Sequence, residues 1–326
     1  MIISRVCLLG GSGFIGRHVA EHLSSLGIEV VIPTRRRERA KFLLVLPTTD
    51  VLEADVHDDA TLQQLFSACD AVINLVGILH EKMRGDFERT HVTLARRVAA
   101  ACVAAGVPRL IHMSALNASQ SAPSEYLKSR ARGEAAVNEV AQATAQLQVT
   151  MFRPSVVFGR DGQFFNFLAQ LVKRLPLIPL GSPDAKFQPL HVDDLAHAIV
   201  ASLGKSETFG QTYAMCGPKI YTLYQLVEFV TGVMRKSRTI IKLGPGMSML
   251  QARVLEIAFF WNKILTRDNV KSMRVDSVCN CDFPAVFGFQ PASMEAIVPQ
   301  YLDGAVARGR YQLFRHRAGR GSSKAQ

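Results

Sequence analysis

The 326-residue chain lacks any apolar run approaching the ~20 residues that span a bilayer; stretches such as residues 72–79 stop far short of it. It also lacks a CxxC pair. Its six cysteines stand at Cys7, Cys69, Cys102, Cys216, Cys279 and Cys281. Cys7 falls in an expected strand and Cys102 on the apolar side of an expected helix, so the cysteines read as packed, reduced thiols. The spacing of Cys279 and Cys281 matches no common zinc pattern, and no metal ligand is assigned. No internal repeat is evident. A strand expected over residues 5–9 leaves no room for a secretory leader, and no arginine-rich presequence is visible. The expected location is therefore the cytoplasm, at most peripheral to an inner membrane.

Acid is missing from the end of the chain. Arg308, Arg310, Arg315, Arg317, Arg320 and Lys324 have no Asp or Glu among them, and they supply six of the eleven net positive charges. Interspersed Gly319, Gly321, Ser322 and Ser323 predict a disordered basic tail over residues 303–326. Such a tail suits peripheral contact with an anionic membrane. Nucleic acid is the last-ranked partner, because only Tyr311 and Phe314 interleave the charges. The body has 48% hydrophobic and 20% charged residues, which is ordinary globular composition.

Strand and helix signals alternate through the first half. Apolar runs at 6–9, 30–32, 71–76, 110–113 and 149–152 read as buried parallel strands. Ile15, Val19, Leu23 and Leu26 lie on one helix face, which Gly27 ends. A second helix is expected over 86–104, closed by Gly106 and Pro108. This alternation predicts an α/β fold of Rossmann type, a doubly wound parallel sheet with a smaller, partly interleaved C-terminal α/β unit. The dinucleotide-binding domain is expected over residues 1–158, with 188–205 returning to it. Residues 159–187 and 206–302 form the smaller unit, with an irregular stretch at 177–187 and helices near 164–175, 222–234 and 247–264. Asp193 is expected to cap a helix running to 203, which is the preferred reading of His191, Asp193 and Asp194 over a metal or acid–base role. The apolar residues 257–261 read as core packing or as an interface.

Gly10-Gly11-Ser12-Gly13-Phe14-Ile15-Gly16 follows the first strand and opens the first helix. Glycines there admit a pyrophosphate to the backbone, and the helix N–H groups and dipole face the anion. Strand, turn, helix and second strand in that order point to a dinucleotide held by Gly10, Ser12, Gly13, Phe14, Ile15 and Gly16. The second strand ends without an acid, in Thr34-Arg35-Arg36. An acid would repel a 2′-phosphate, whereas an arginine forks onto it, so NADP(H) is favoured over NAD(H). Asp55 and Val56 are placed either to contact adenine or to form a strand-end turn.

The glycine signature, Asn74-Leu75-Val76-Gly77, and Tyr126 with a basic residue four later resemble the extended and atypical short-chain dehydrogenase/reductases. Four further segments are similar to one branch of that family. They are Tyr126-Leu127-Lys128-Ser129-Arg130-Ala131-Arg132-Gly133-Glu134, Arg153-Pro154-Ser155-Val156-Val157-Phe158-Gly159, Phe187-Gln188-Pro189-Leu190-His191-Val192-Asp193-Asp194 and Leu265-Thr266-Arg267-Asp268. The branch is that of the NADPH-binding accessory subunit of respiratory complex I and its bacterial relatives. The resemblance implies cofactor contacts at Val76, Gly77, Tyr126, Arg130, Pro154, Ser155, Val156 and Val157, and a link to complex I or a quinone-related assembly. It also implies candidate catalytic residues: Tyr126 as proton donor, residue 130 as its cationic partner, and a serine at Ser114 or at the position that Ala115 fills.

Residues i and i+4 share a helix face, so the partner of Tyr126 is Arg130; Lys128 points about 200° away. Lowering a tyrosine from ~10 to ~7 takes about 4 kcal/mol. A cation at ~4 Å supplies roughly that at an effective dielectric of ~20. Charge is therefore present, but the guanidinium is broader and never deprotonates. Two readings stay open: a protein whose NADP(H) is mainly structural or regulatory, and an active oxidoreductase or epimerase on a sugar-nucleotide, terpenoid or quinone-like substrate.

Overall fold

The computed structural model describes residues 2–144, 146–258 and 266–302. Seven parallel strands make the main sheet: β1 (Arg5–Leu9), β2 (Glu29–Thr34), β3 (Thr49–Glu53), β4 (Ala71–Asn74), β5 (Arg109–Met113), β6 (Gln148–Pro154) and β7 (Thr212–Met215). Their order is β7-β6-β5-β4-β1-β2-β3. The chain winds outward from β1 in both directions, and the crevice where it reverses lies between β1 and β4.

Apolar residues at successive positions suit a sheet covered on both faces. Val6, Leu8, Val30 and Ile32 meet Val19 and Leu23 of helix α1 (Phe14–Ser25). Cys7, Leu9, Val72 and Leu110 face the other way, onto Leu62 and Phe66 of α2 (Asp59–Phe66) and Val98 and Cys102 of α3 (Leu94–Ala104). Helix α4 (Glu125–Gln142) covers the same side. A third apolar cluster forms where α5 (Gln163–Arg174) and α6 (Val192–Ser202) have been passed and α7 (Leu223–Val233) packs back on α5. Phe165, Leu168 and Val172 there meet Leu226 and Val230.

Several details differ from the sequence reading. Residues 88–93 wind as a π-helix before α3 begins, so the expected helix over 86–104 starts late and widened. The stretch 177–187, expected to be irregular, holds two short strands; Leu177–Gly181 pairs in parallel with Thr239–Leu243 and Lys186–Phe187 pairs with Tyr221–Thr222. Pro179 is tolerated because that two-stranded ladder leaves one edge of each strand unpaired. Residues 212–215, assigned to the smaller unit, complete the main sheet beside β6. Phe287, from the same assigned unit, packs into the main core. Four-residue runs are too short for periodicity to place them.

Asp193 does not cap α6. His191 occupies the N-cap position without a side-chain bond, and Asp193 lies in the first turn, where its Oδ1 is 2.5 Å from His18 Nδ1. The adjoining Asp194 accepts from the Ala292 N–H at 2.7 Å. Cys216 and Cys279 are joined in a disulfide, contrary to the expectation of thiols throughout; 63 residues separate them in sequence, and the fold brings them together. Cys7, Cys69, Cys102 and Cys281 are free. No helix among the described residues is long and apolar enough to cross a membrane. Helix α8 (Pro245–Ala258) begins where the helix over 247–264 was expected. The side chains of residues 257–261 and the tail 303–326 lie outside the described residues.

Candidate functional site: a dinucleotide cleft

The glycine loop sits at the carboxyl edge of β1, in the crevice. Gly10 has φ +80°, a conformation that residues with a Cβ rarely adopt, and a Cβ there would come within 3.1 Å of the Leu75 backbone. At Gly16 a Cβ would lie 2.3 Å from the Gly10 carbonyl oxygen and 2.6 Å from Gly11 Cα. Helix α1 is thus seated against its own loop. Among the described residues the N–H groups of Ser12, Phe14 and Ile15 meet no acceptor, so they are available to an anion. The Phe14 ring packs down on the turn at Gly159 and Gly162.

Thr34, Arg35 and Arg36 leave β2 on the same edge. Both arginines are exposed, and neither forms an ion pair among the described residues. Sequence reasoning found no acid at the end of β2, but the sheet sets Glu53, the last residue of β3, beside Thr34. Glu53 Oε2 accepts from the Arg37 N–H at 3.5 Å. Asp55 closes a local turn by accepting the His57 N–H at 3.0 Å, and Val56 packs on the α2–α3 core.

Asn74 shapes the loop after β4, its Oδ1 accepting the Val76 N–H at 3.1 Å and its Nδ2 lying 3.3 Å from His112 Nδ1. At Gly77 a Cβ would stand 2.0 Å from Arg130 Nη2. The Arg130 guanidinium therefore lies against bare backbone at this loop, and a side chain at residue 77 would displace it. Its Nη1 donates to the Met113 carbonyl at 3.1 Å, and its guanidinium carbon is 5.5 Å from the Tyr126 ring centre. The buried Arg130 Nε and Ser114 Oγ have no hydrogen-bond partner. Ser114 directly follows β5, and Ala115 belongs to the apolar cluster on which Tyr126 packs.

Sequence reasoning missed His91. Its Nε2 accepts the Ile78 N–H at 3.1 Å, which leaves the ring proton on Nδ1 to reach Ser129 Oγ at 2.8 Å. Ser129 donates in turn to the Tyr126 carbonyl at 2.7 Å. The π-helical segment carries this imidazole, and no spacing pattern in the sequence signals such a widened turn. The loop at 77–78 and the Tyr126 turn of α4 are thereby tied together.

The motifs of the resemblance bind one another. Arg153 Nε donates to Glu134 Oε1 at 2.7 Å, joining β6 to α4. The Asp268 carboxylate accepts the N–H groups of Glu125 and Tyr126 at 2.9 and 3.0 Å, capping α4 from a helix 142 residues away, α9 (Arg267–Ser272). Thr266 caps α9 in a reciprocal box with Asn269. Pro154 ends β6, Ser155 donates its N–H to the Met215 carbonyl at 2.9 Å, and Val156 accepts the Leu190 N–H at 3.0 Å. Val157 pairs with Leu190.

Residues 6–216 match the NAD dependent epimerase/dehydratase family. The chain belongs to that family. It is 31% identical over 298 residues to NADH dehydrogenase [ubiquinone] 1 alpha subcomplex subunit 9 of Mus musculus, covering 88% of this chain and 77% of the relative. It is 27% identical over 311 residues to the NADH-ubiquinone oxidoreductase 40 kDa subunit of Neurospora crassa, covering 94% and 80%. The resemblance to the branch of that accessory subunit is thus upheld. Among solved structures, the NADPH-dependent quinone oxidoreductase QOR2 from Escherichia coli superposes with a TM-score of 0.71 at 17% identity, covering 94% of this chain and 99% of that one. MoeE5 in complex with UDP-glucose and NAD superposes at 0.69, again with 17% identity, covering 95% and 99%. These likenesses establish the fold.

Burial lowers His91 to about 2 and His112 to about 3, with the Arg130 charge adding to the effect at both. Each is neutral when folded and titrates near 6.5 when unfolded, so the unfolded chain binds more protons between those values. Stability is fully present above about pH 6.5 and is lost as pH falls toward 3. The loss is about 1.4 kcal/mol per pH unit for each group. Urea unfolding at pH 7.0, 5.5 and 4.5 should show this slope, and His112→Gln should reduce it by one proton's worth. An imidazole resonance of His112 titrating near 6.5 in the folded protein would refute the assignment.

Proposed function

We propose that the chain holds NADP(H) in this cleft as a mainly structural or regulatory cofactor, in association with a respiratory or quinone-related assembly. The observation that carries the reading is the state of the reaction end. Arg130 stands where active members of the resembled family carry a lysine, four residues after the tyrosine, and is anchored to the Met113 carbonyl, while Tyr126 packs on the apolar cluster that holds Ala115. The unspent donors Arg130 Nε and Ser114 Oγ, and the open amides of the glycine loop, fit a polyhydroxylated, anionic ligand. The cofactor, when bound, supplies hydride-transfer capacity. Arg130 would hold its ribose, and Gly10–Gly16 its diphosphate.

Arg35 and Arg36 support NADP(H) over NAD(H), and Glu53 beside Thr34 opposes a second phosphate less directly, since it is turned toward the Arg37 amide. The assembly is supported by the 31% identity with the complex I subunit. Peripheral contact with anionic lipid rests on the basic tail alone.

The test is thermal or urea unfolding with and without nucleotide. NADPH at a hundred times its dissociation constant should add about 2.7 kcal/mol. Arg35→Ala with Arg36→Ala should weaken NADPH at least tenfold and leave NADH within threefold, and Tyr126→Phe should leave binding unchanged. Absence of any nucleotide effect refutes the reading. The second reading, an active oxidoreductase or epimerase, is favoured by the cation kept beside the Tyr126 ring. It requires that Arg130→Lys preserve or raise turnover and Tyr126→Phe abolish it.

A further inference from the structure

The Cys216–Cys279 disulfide joins two segments at the reaction end of the cleft. Cys216 directly follows β7, whose last residue, Met215, pairs with Pro154 and accepts the Ser155 N–H. Cys279 ends a strap, residues 276–279, laid across the exits of β5 and β6. Asn117, three residues beyond Ser114, donates to the Asp276 carbonyl at 2.8 Å. Ser155 Oγ donates to the Ser277 carbonyl at 2.7 Å and lies 3.0 Å from Ser277 Oγ. The Ser277 N–H donates to the Lys186 carbonyl at 2.8 Å, the Gln188 N–H donates to the Ser277 carbonyl at 3.0 Å, and the Cys279 N–H donates to Gln188 Oε1 at 3.0 Å.

The rest of the chain does not use disulfides as a framework. Cys7 and Cys102 are packed in the core, where burial pushes both thiols up and makes them poor nucleophiles. A single bond in a chain that otherwise keeps free thiols, placed on a surface strap beside a ligand cleft, fits a reversible role better than a structural one. Cys216 is 4% exposed, whereas Cys279 is only half-buried, so the two sulfurs differ in access.

We propose that Cys216 and Cys279 are a thiol–disulfide exchange site that fastens the 276–279 strap over the reaction end of the cleft, and that a dithiol reductant unfastens it. A reductant thiolate attacks the Cys279 sulfur, forming a mixed disulfide and releasing Cys216 as a thiolate that takes a proton. The reductant's second thiol then displaces Cys279. Two electrons pass to the protein, leaving two protein thiols and one reductant disulfide; a small-molecule disulfide reverses the process. The effect on ligand retention rests on the proposed reading of the cleft, whereas the fastening of the strap does not.

The experiment compares the full chain oxidised with glutathione disulfide and reduced with dithiothreitol. Alkylation in denaturant, read by mass, should count four thiols in the first and six in the second. Hydrogen exchange at the Ser277 and Cys279 amides should accelerate at least tenfold on reduction, with β1 and β4 unchanged, and NADPH should dissociate at least fivefold faster. Cys216→Ser and Cys279→Ser should each behave as the reduced protein under both conditions, and Cys281→Ser as the parent. If NADPH binds neither form while the exchange difference persists, the cofactor reading falls and the latch stands. Six alkylated thiols after oxidation, or equal exchange at Ser277 and Cys279 in both states, overturns the latch. Altered exchange with unchanged NADPH dissociation overturns its control of the cleft.

Discussion

Gly16→Ala is expected to weaken NADPH binding at least a hundredfold while the far-ultraviolet spectrum stays that of the parent. The added methyl would stand 2.3 Å from the Gly10 carbonyl and 2.6 Å from Gly11 Cα, both backbone atoms that cannot rotate away. Helix α1 must then withdraw from its loop, and the amides that face the diphosphate lose their convergence. A hundredfold is about 2.7 kcal/mol, in the range of one charge-assisted hydrogen bond. Gly232→Ala in α7 is the control: its methyl meets nothing within 4 Å and lies outside the glycine loop, so affinity within threefold of the parent is expected. Equilibrium titration of both variants decides the matter. Affinity within threefold of the parent in Gly16→Ala would remove the glycine loop from the site.

Arg109→Met is expected to lower the unfolding free energy by about 3–5 kcal/mol. Arg109 is fully buried at the start of β5, with no carboxylate as partner among the described residues. It donates instead to the Ser202, Leu203 and Gln148 carbonyls and to the Thr150 and Thr208 hydroxyls, and stacks on Phe209. Ser202 and Leu203 end α6, where the dipole favours a cation. Burial lowers the guanidinium to about 10, which still leaves it charged at pH 7. Methionine fills most of the volume but takes a donor from the Leu203 and Gln148 carbonyls, each costing about 1–3 kcal/mol and partly offset by relief of the buried charge, while Thr208 Oγ1 still donates to the Ser202 carbonyl at 2.9 Å. Urea unfolding at constant slope measures it, and a change below 1 kcal/mol would show that water replaces the arginine.

Local physics explains what was legible in the sequence. Uninterrupted apolar runs at 6–9 and 30–32 announced strands covered on both faces, and Gly10 through Gly16 announced the helix-mouth cradle, because each signal is local in the chain. Once the family resemblance had singled out Tyr126, the i, i+4 relation identified Arg130, and not Lys128, as its partner. Illegible were features made by sheet register. Glu53 stands beside Thr34 only because β3 pairs with β2, and β7 was hidden in a four-residue run that periodicity cannot resolve.

The sequence by itself therefore determined the parallel sheet, the anion-facing loop and the replaced lysine, since hydrophobic period and helix geometry act over a few residues. Tertiary structure alone decided that His91 ties Tyr126 to the loop at Ile78, that Asp268 caps the tyrosine helix, and that Cys216 meets Cys279. Each of these joins groups 13 to 142 residues apart. Contacts of that span exist only after the intervening chain has packed, because closing such loops gains nothing until the core supplies the free energy.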